Sequence, residues 1–113
     1  MWRIKQGATQ GRSWPVADAS GNLITDFTGW SAAAQIRATP EATEILFEWV
    51  LGGAAGKGTI TLADSAVTLT QDGDDSDSWT WEAGRYDVKV TDAAGREAFI
   101  ADGRVMVIPA VTR

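Results

Sequence analysis

Turn-forming residues interrupt this chain so often that no segment keeps its apolar residues at helical spacing through three turns. Instead, apolar and polar residues alternate over strand lengths. In YDVKV, from Tyr86 to Val90, the first, third and fifth residues share one face, and Asp87 and Lys89 share the other. Short strands separated by turn signals every 8–12 residues or so are typical of a β-sandwich or barrel. The 113 residues fit one such domain. We therefore predict a single all-β domain over residues 1–113, with about seven to eight short antiparallel strands.

Ten segments of the chain have strand character, and one has the character of a single helical turn. Ser13–Ala17 contains Pro15, which lacks a backbone N–H and therefore predicts an edge strand or the start of a strand. The helical turn is predicted at Asp74–Trp79. The other strand segments are Trp2–Gln6, Leu23–Thr25, Trp30–Arg37, Ile45–Leu51, Thr59–Leu62, Val67–Leu69, Tyr86–Val90, Glu97–Ala101 and Arg104–Ile108.

Two turns of the chain share the same chemistry. Val16–Asn22 reads VADASGN and Val90–Arg96 reads VTDAAGR, so in each an Asp opens the turn and a Gly follows three residues later. An Asp side chain accepts hydrogen bonds from the turn backbone, and Gly adopts the positive φ that closes such a turn. Both segments therefore predict β-hairpin turns.

The composition excludes several kinds of chemistry. There is no Cys and no His, which removes disulfides, thiolate metal sites and the commonest general base and metal ligand. The net charge of −5 argues against coating nucleic acid. No apolar run approaches the roughly 20 residues that span a bilayer, and the start, MWRIKQG, lacks the apolar core of a secretory signal. We expect a soluble protein made in a cytoplasm, without a nucleic-acid or membrane partner and without a cofactor.

Two loops resemble ligand sites only superficially. GGAAGKGT, from Gly52 to Thr59, fails the spacing of a phosphate-binding loop and is followed by no helical pattern, which favours a flexible connection. DGDDSD, from Asp72 to Asp77, lacks the Gly and Glu positions of a calcium-binding EF-hand loop. We call Asp72–Asp77 the acidic segment. A solvated loop that begins a helical turn is favoured there, with a different kind of calcium site as the alternative.

Carboxylates suited to catalysis are scarce in this sequence. Glu48, inside ILFEWVL, is the one carboxylate within a strongly apolar run, where raised pKa values arise. On a strand it would face opposite to Phe47 and Trp49, and hence toward solvent. We therefore expect no enzymatic activity, no catalytic residues and no metal site.

Six Trp residues in so short a chain can be read in two ways. Core and interface packing is favoured, because each indole buries a large apolar area. The alternative is a stacking platform for sugars. Trp79 and Trp81 lie two residues apart and would share one face of a strand, so they are the candidate glycan contacts.

Several weak motifs follow one another in an order that resembles a known family. The motifs are Lys5–Gly7, the DASGN turn, Asp26–Trp30 leading to Gln35–Arg37, an acidic turn ending at Trp79, Glu82–Val88, the DAAGR turn and a terminal strand. Their order is similar to that of the immunoglobulin-like modules of tailed-phage virion proteins, above all the family of N-terminal domains of phage baseplate upper proteins. The resemblance covers essentially the whole chain, although Ala8 stands where the family has Asp and Phe27 where it has Leu.

The resemblance implies an immunoglobulin-like β-sandwich that serves as a structural, non-enzymatic part of a tailed-phage virion. Its partners would be other virion proteins and further copies of itself, and it would be assembled in the host bacterial cytoplasm. The baseplate or tail is the first expectation for its location, slightly ahead of capsid decoration, with the head–tail connector as a third place. A glycan-binding β-sandwich is the competing function.

The C-terminal strand segment is the candidate interface. Arg104–Ile108 is apolar on both faces, with Val105 and Val107 on one and Met106 and Ile108 on the other. A strand with a solvent-facing side normally alternates apolar with polar residues, so this one requires a cover, either the segment around Trp2 and Ile4 or a neighbouring subunit. Pro109 should end the sheet. We expect an interface that comprises Val105, Met106, Val107, Ile108, Val111 and Arg113.

Overall fold

The computed structural model describes residues 1–77 and 79–109 and is all-β. Within these residues, eight strands form a single mixed sheet that curls nearly into a barrel, and one short helix accompanies it. The strands are β1 (Trp2–Lys5), β2 (Gln10–Pro15), β3 (Ser31–Arg37), β4 (Phe47–Leu51), β5 (Gly58–Ala63), β6 (Ala66–Gln71), β7 (Ala83–Thr91) and β8 (Glu97–Ile108), and the helix is α1 (Gly73–Asp77). Their order across the sheet is β1-β8-β7-β3-β4-β5-β6-β2.

The pairing of the strands is mostly, but not wholly, antiparallel. β1 pairs with β8 in parallel, and β4 pairs with β5 in parallel, so the expectation of a purely antiparallel fold is wrong in these two places. Parallel neighbours usually need a crossover of about a dozen residues. The loop from β4 to β5 is much shorter, and three of its residues, Gly52, Gly53 and Gly56, have positive φ values of 79°, 80° and 74°. These glycines let the chain reverse twice in a small space.

The two ends of the sheet approach each other where β1 and β2 meet. These strands are consecutive in sequence, and the Trp2 and Trp14 rings contact edge to face at 6.0 Å. The Lys5 backbone N–H also donates to the Gln10 side-chain oxygen at 2.7 Å. Residues on opposite ends of the strand order are therefore neighbours, which explains the nearly closed shape.

The core is centred on the indole of Trp49. This indole stacks on the Trp2 ring, with the two ring centroids 5.5 Å apart and an interplanar angle of 18°. It also contacts the Phe47 ring edge to face, with the centroids 5.0 Å apart. Its indole N–H donates to the Oε1 atom of buried Gln71 at 3.1 Å, while the amide nitrogen of Gln71 has no partner among the described residues. Aromatic packing of this kind buries much area per residue, which explains why the interior uses so many Trp residues.

The two predicted hairpin turns are confirmed in their chemistry. The carboxylate of Asp18 accepts backbone N–H groups two and four residues ahead at 2.9 and 3.0 Å, and that of Asp92 does the same at 2.9 Å for both. Gly21 and Gly95 have φ values of 85° and 86°. The second turn joins β7 to β8, whereas the first closes only an isolated bridge, so Leu23–Thr25 is not a strand.

Most predicted strands are present, and the single helical turn is confirmed as α1. β2, which ends at Pro15, is an edge strand as predicted. The two predicted C-terminal strands are one continuous strand, β8, that ends at Ile108 before Pro109. The Asp102–Gly103 pair resembles a turn in sequence, but it lies inside the ladder because β7 is long enough to pair along both segments.

Candidate functional surfaces

The C-terminal strand has one face in the core and one face outside. Val105 and Val107 are 1% and 7% exposed and point into the interior, whereas Met106 is 37% exposed and Ile108 is half-buried. The side chains of Val105 and Val107 are therefore committed to the protein's own core. Any contact that this strand makes through side chains relies on Met106 and Ile108.

The N-terminal strand does not form a second layer over that outer face. β1 lies beside β8 in the sheet, with Trp2 opposite Val105 and Ile4 opposite Val107, so all four point into the core. The outer face of β8 remains uncovered by the segment around Trp2 and Ile4. Two other members of the predicted interface, Val111 and Arg113, lie outside the described residues.

The two Trp residues proposed as glycan contacts do not form an exposed pair. They lie in the connection between α1 and β7 rather than on a strand, and Trp79 is only 8% exposed. The centroid of its ring lies 4.9 Å from that of the Phe47 ring and 4.7 Å from that of the Trp81 ring. Trp81 is half-buried, and its buried indole N–H has no hydrogen-bond partner among the described residues. Only Trp81 can present part of its ring to a ligand.

A cleft of about 380 Å³ lies beside this Trp pair. Its walls combine aromatic and aliphatic side chains with carboxylates, a composition suited to polar ligands that have apolar faces. Its lining residues are Glu44, Ile45, Leu46, Phe47, Gly56, Asp74, Asp75, Trp79, Thr80 and Trp81.

The acidic segment is fixed to the loop between β1 and β2. The Gly7 backbone N–H donates to the Ser76 hydroxyl at 2.8 Å, and the Gln6 side chain donates to the Asp77 carbonyl at 3.2 Å. Asp74 and Asp77 are exposed. Within the part of the chain that the structure describes, no three acidic side chains form a group that could hold a metal ion.

The remaining sequence candidates serve structural roles. Glu48 is half-buried on the outer side of β4 and pairs with Lys57. Gly58 is buried at the start of β5, where a Cβ atom would lie 2.1 Å from the Trp49 ring. The Gly-rich segment is thus a tight connection between two paired strands that partly packs on the core.

Three arginines lie side by side on the outer face of the central strands. Arg37 of β3 is directly opposite Arg85 of β7, which is directly opposite Arg104 of β8. We call these three residues the arginine row. Arg85 and Arg104 are exposed, and neither has an ion-pair or hydrogen-bond partner among the described residues. Like charges directly opposite each other destabilise a sheet, so contacts within the row do not stabilise the fold.

An acidic row lies next to the arginine row. Gln35, Asp87 and Asp102 are opposite one another on the same three strands, one outward position further along. Loss of solvating water beside the sheet raises the pKa of Asp87 above its ordinary value of 3.8, an effect that Arg37 opposes and Asp102 increases. Charges on this face are therefore sorted into rows of one sign.

Sequence analysis did not detect the arginine row. Each of the three residues lies in or beside a predicted strand, but whole strand segments and turns separate them in the sequence. Only the order and register of the strands bring them together. The sequence of a single strand specifies neither which strands lie beside it nor the register in which they pair, so no local sequence signal predicts the row.

Comparisons with known proteins assign no family. No protein-family model matches the chain, and no curated protein matches it at a significant level. Among the described residues there is no helix with the length and apolarity needed to cross a membrane. Functional inference therefore rests on the fold, the surfaces and the sequence resemblance.

Proposed function

We propose that the chain is an immunoglobulin-like module that acts as a structural, non-enzymatic component of a tailed-phage virion. It works through protein–protein contacts, with other virion proteins and further copies of itself as partners. The baseplate or tail is the first proposed position, with capsid decoration and the head–tail connector as alternatives.

The strand arrangement supports the immunoglobulin-like part of the proposal. In such sandwiches the second, fifth and fourth strands form one sheet, and the third, sixth and seventh form the other, with an added strand next to the third in variable-type domains. Here β2, β6 and β5 are neighbours, and β4, β3, β7 and β8 are neighbours. With β4 counted as the added strand, these two groups agree with that order, whereas the first strand differs because β1 pairs with β8. The β4–β5 pairing then joins the two sheets along one side.

The position of Tyr86 supports the same assignment. Immunoglobulin domains carry a Tyr near the start of the penultimate strand, two residues before the second conserved Cys. Tyr86 lies near the start of β7, and Val88, which is fully buried, lies two residues later. In a chain without Cys, a buried Val at this point fills the core that a disulfide would otherwise occupy.

The observation that carries the proposal is that the residues of the resemblance are those that shape the fold. Gly7 and Gly29 have φ values of 83° and 80°, and the Asp26 carboxylate accepts the Thr28 backbone N–H at 2.9 Å. Gly84 lies where a Cβ atom would come within 2.8 Å of a backbone carbonyl of β3. A motif order built from scaffold positions is what a structural module requires, and it needs no chemistry.

The test is to locate the chain in purified phage particles. Mass spectrometry of particles should detect it at many copies, and a cryo-electron microscopy map should contain density that fits the eight-stranded sheet. The map also distinguishes the three proposed positions. Reproducible absence of the chain from intact infectious particles would reject the proposal.

A glycan-binding module is the second candidate, and the cleft beside Trp81 favours it. An aromatic ring beside the carboxylates of Glu44 and Asp74 can contact both the apolar face and the hydroxyls of a sugar. Host-surface polysaccharide should then change the tryptophan fluorescence, and Trp81→Ala should remove the change. Trp14→Phe is the control, since Trp14 is also half-buried but lies outside the cleft. An identical response in both variants, or none in the parent, rejects glycan binding at this cleft.

A further inference from the structure

We propose that the arginine row of one chain binds the acidic segment of a second copy of the same chain. The inference rests on the proposed function only in that a virion module occurs in several copies. It names the partner and the two surfaces that meet.

Two members of the arginine row, Arg85 and Arg104, make no ion pair or hydrogen bond among the described residues, whereas Arg37 is bonded within the fold and lies near Asp87. The three ion pairs among the described residues are Lys57 with Glu48, Lys89 with Glu97, and Arg96 with Asp92. None of these ion pairs includes a residue of the arginine row. Only Arg37 makes hydrogen bonds, to the Gln35 side chain and to a backbone carbonyl. The guanidinium groups of Arg85 and Arg104 therefore keep their donors for an external acceptor, and binding would offset the repulsion between them.

Carboxylates are the acceptors that fit such a row. A guanidinium group binds a carboxylate through two parallel N–H donors, and Arg is enriched at protein interfaces. The Cβ atoms of neighbouring arginines in the row stand about 5 Å apart, the usual spacing of directly opposed residues in a sheet. The partner should present carboxylates at a similar spacing.

The acidic segment has that spacing. Asp74 and Asp77 are three residues apart in α1, and side chains at this separation in a helix lie about 5–6 Å apart on one face. Both residues are exposed. The bonds of Ser76 and Gln6 to neighbouring backbone groups hold the segment in place, so little conformational entropy is lost when it binds.

Apolar side chains lie close to the arginine row and can complete an interface. Met106 is one outward position beyond Arg104 on β8, where it is opposite Ala83 of β7. Ile108 follows it on the same face. Charged pairs alone seldom give a stable contact, and exposed Met106 together with half-buried Ile108 adds apolar area beside the charges. The proposal therefore places the predicted contacts of Met106 and Ile108 at the border of the row.

A second copy fits the row better than a polyanion does. The net charge of −5 repels extended polyanions over a long range, whereas a contact between rigid surfaces is governed by its local charges. Repulsion between whole chains would also select against every orientation that does not bring the row to the acidic segment. A polyanionic ligand is kept as a separate outcome of the test.

The test uses charge reversal and mixing, followed by sedimentation velocity from tens to hundreds of micromolar protein. One variant carries Arg85→Glu and Arg104→Glu, and the other carries Asp74→Lys and Asp77→Lys. The control, Lys57→Glu with Arg96→Glu, makes the same change in net charge as the arginine variant but lies outside the row. Circular dichroism checks that all three retain the strand-rich fold.

We expect the parent chain and the control to self-associate, and each test variant alone to associate at least roughly tenfold more weakly. Mixing the two test variants should restore association, because the intact acidic segment of one meets the intact row of the other. A parent chain that remains monomeric overturns the proposal, as does an arginine variant that associates like the parent. A monomeric parent that binds a polyanion through the same arginines would assign the row to that ligand instead. Self-association is measured on purified protein, so its failure is distinguishable from absence of the chain from particles.

Discussion

Replacing Gly58 with Ala should destabilise the protein through one contact with the central indole. A Cβ atom at this position would lie 2.1 Å from Cδ1 of Trp49 and 2.5 Å from its Nε1. The backbone φ of Gly58 is not positive, so Ala introduces no conformational strain of its own. The indole must therefore move, and it is held by stacking on Trp2 and by its hydrogen bond to Gln71.

The magnitude follows from three contributions. Overpacking a well-filled core by one methyl group costs about 1–3 kcal/mol. Moving the indole also weakens its bond to Gln71, which adds about 1 kcal/mol because the buried acceptor then loses its partner. Ala is favoured over Gly in a strand by about 0.5–1 kcal/mol. The free energy of unfolding should fall by about 1–3 kcal/mol, which lowers the melting temperature by roughly 4–12 °C in a domain of this size.

The assay is urea denaturation, followed by tryptophan fluorescence, in a double-mutant cycle with Trp49→Leu. The smaller Leu leaves room for the methyl group, so Gly58→Ala should be neutral or slightly stabilising in that background. The two substitutions should therefore couple by at least about 1 kcal/mol. A Gly58→Ala protein within about 0.5 kcal/mol of the parent would refute the reasoning. An equal cost in both backgrounds would show that the indole is not the cause.

Two further predictions concern the acidic side chains of the surface. The backbone hydrogen bond from Arg96 lowers the pKa of Asp92 below its ordinary value of 3.8. Its ionised form therefore stabilises the fold above that pH, and the advantage of the parent over Asp92→Asn in melting temperature should shrink as the pH falls through the folded-state pKa; a difference that does not change with pH would contradict this. A ligand that binds only the folded state raises the melting temperature. We expect no calcium site in the acidic segment, so millimolar calcium should leave the melting temperature nearly unchanged. A rise of several degrees that Asp74→Ala abolishes would instead show a calcium site in the acidic segment.

Features set by a few consecutive residues could be predicted from the sequence. The turns at Asp18 and Asp92 require only an acceptor side chain and a glycine at a fixed offset, and both have the expected hydrogen bonds. Pro15 predicts an edge strand because its missing N–H cannot donate a hydrogen bond to a neighbouring strand. The short helix α1 follows from residues that favour turns and helix starts.

Features set by distant residues could not be predicted. The apolar outer positions of β8 suggested a covering layer, but β1 joins the sheet beside it and leaves Met106 exposed. Trp79 and Trp81 have the spacing of a strand face, yet they lie in a connection, where Phe47 covers Trp79. The prediction of a strand face at Trp79 and Trp81 is therefore wrong, and in both cases the neighbour that determines exposure comes from another part of the chain.

The arginine row is itself a consequence of how the core fixes the register of three strands. Ile36, Gly84 and Val105 are buried and point inward, so the residue that follows Ile36, the one that follows Gly84 and the one that precedes Val105 must all point outward. A slip of one residue in any strand would place an arginine in the interior, which the core does not permit. Gly84 adds a second constraint, because a Cβ atom there would lie 2.9 Å from the Ile36 side chain. Substituting Gly84 would therefore disturb the fold and the row together, and loss of association in such a variant would not identify the contact. Reversing the charges of Arg85 and Arg104 leaves the inward residues unchanged, so it separates the surface from the scaffold that aligns it.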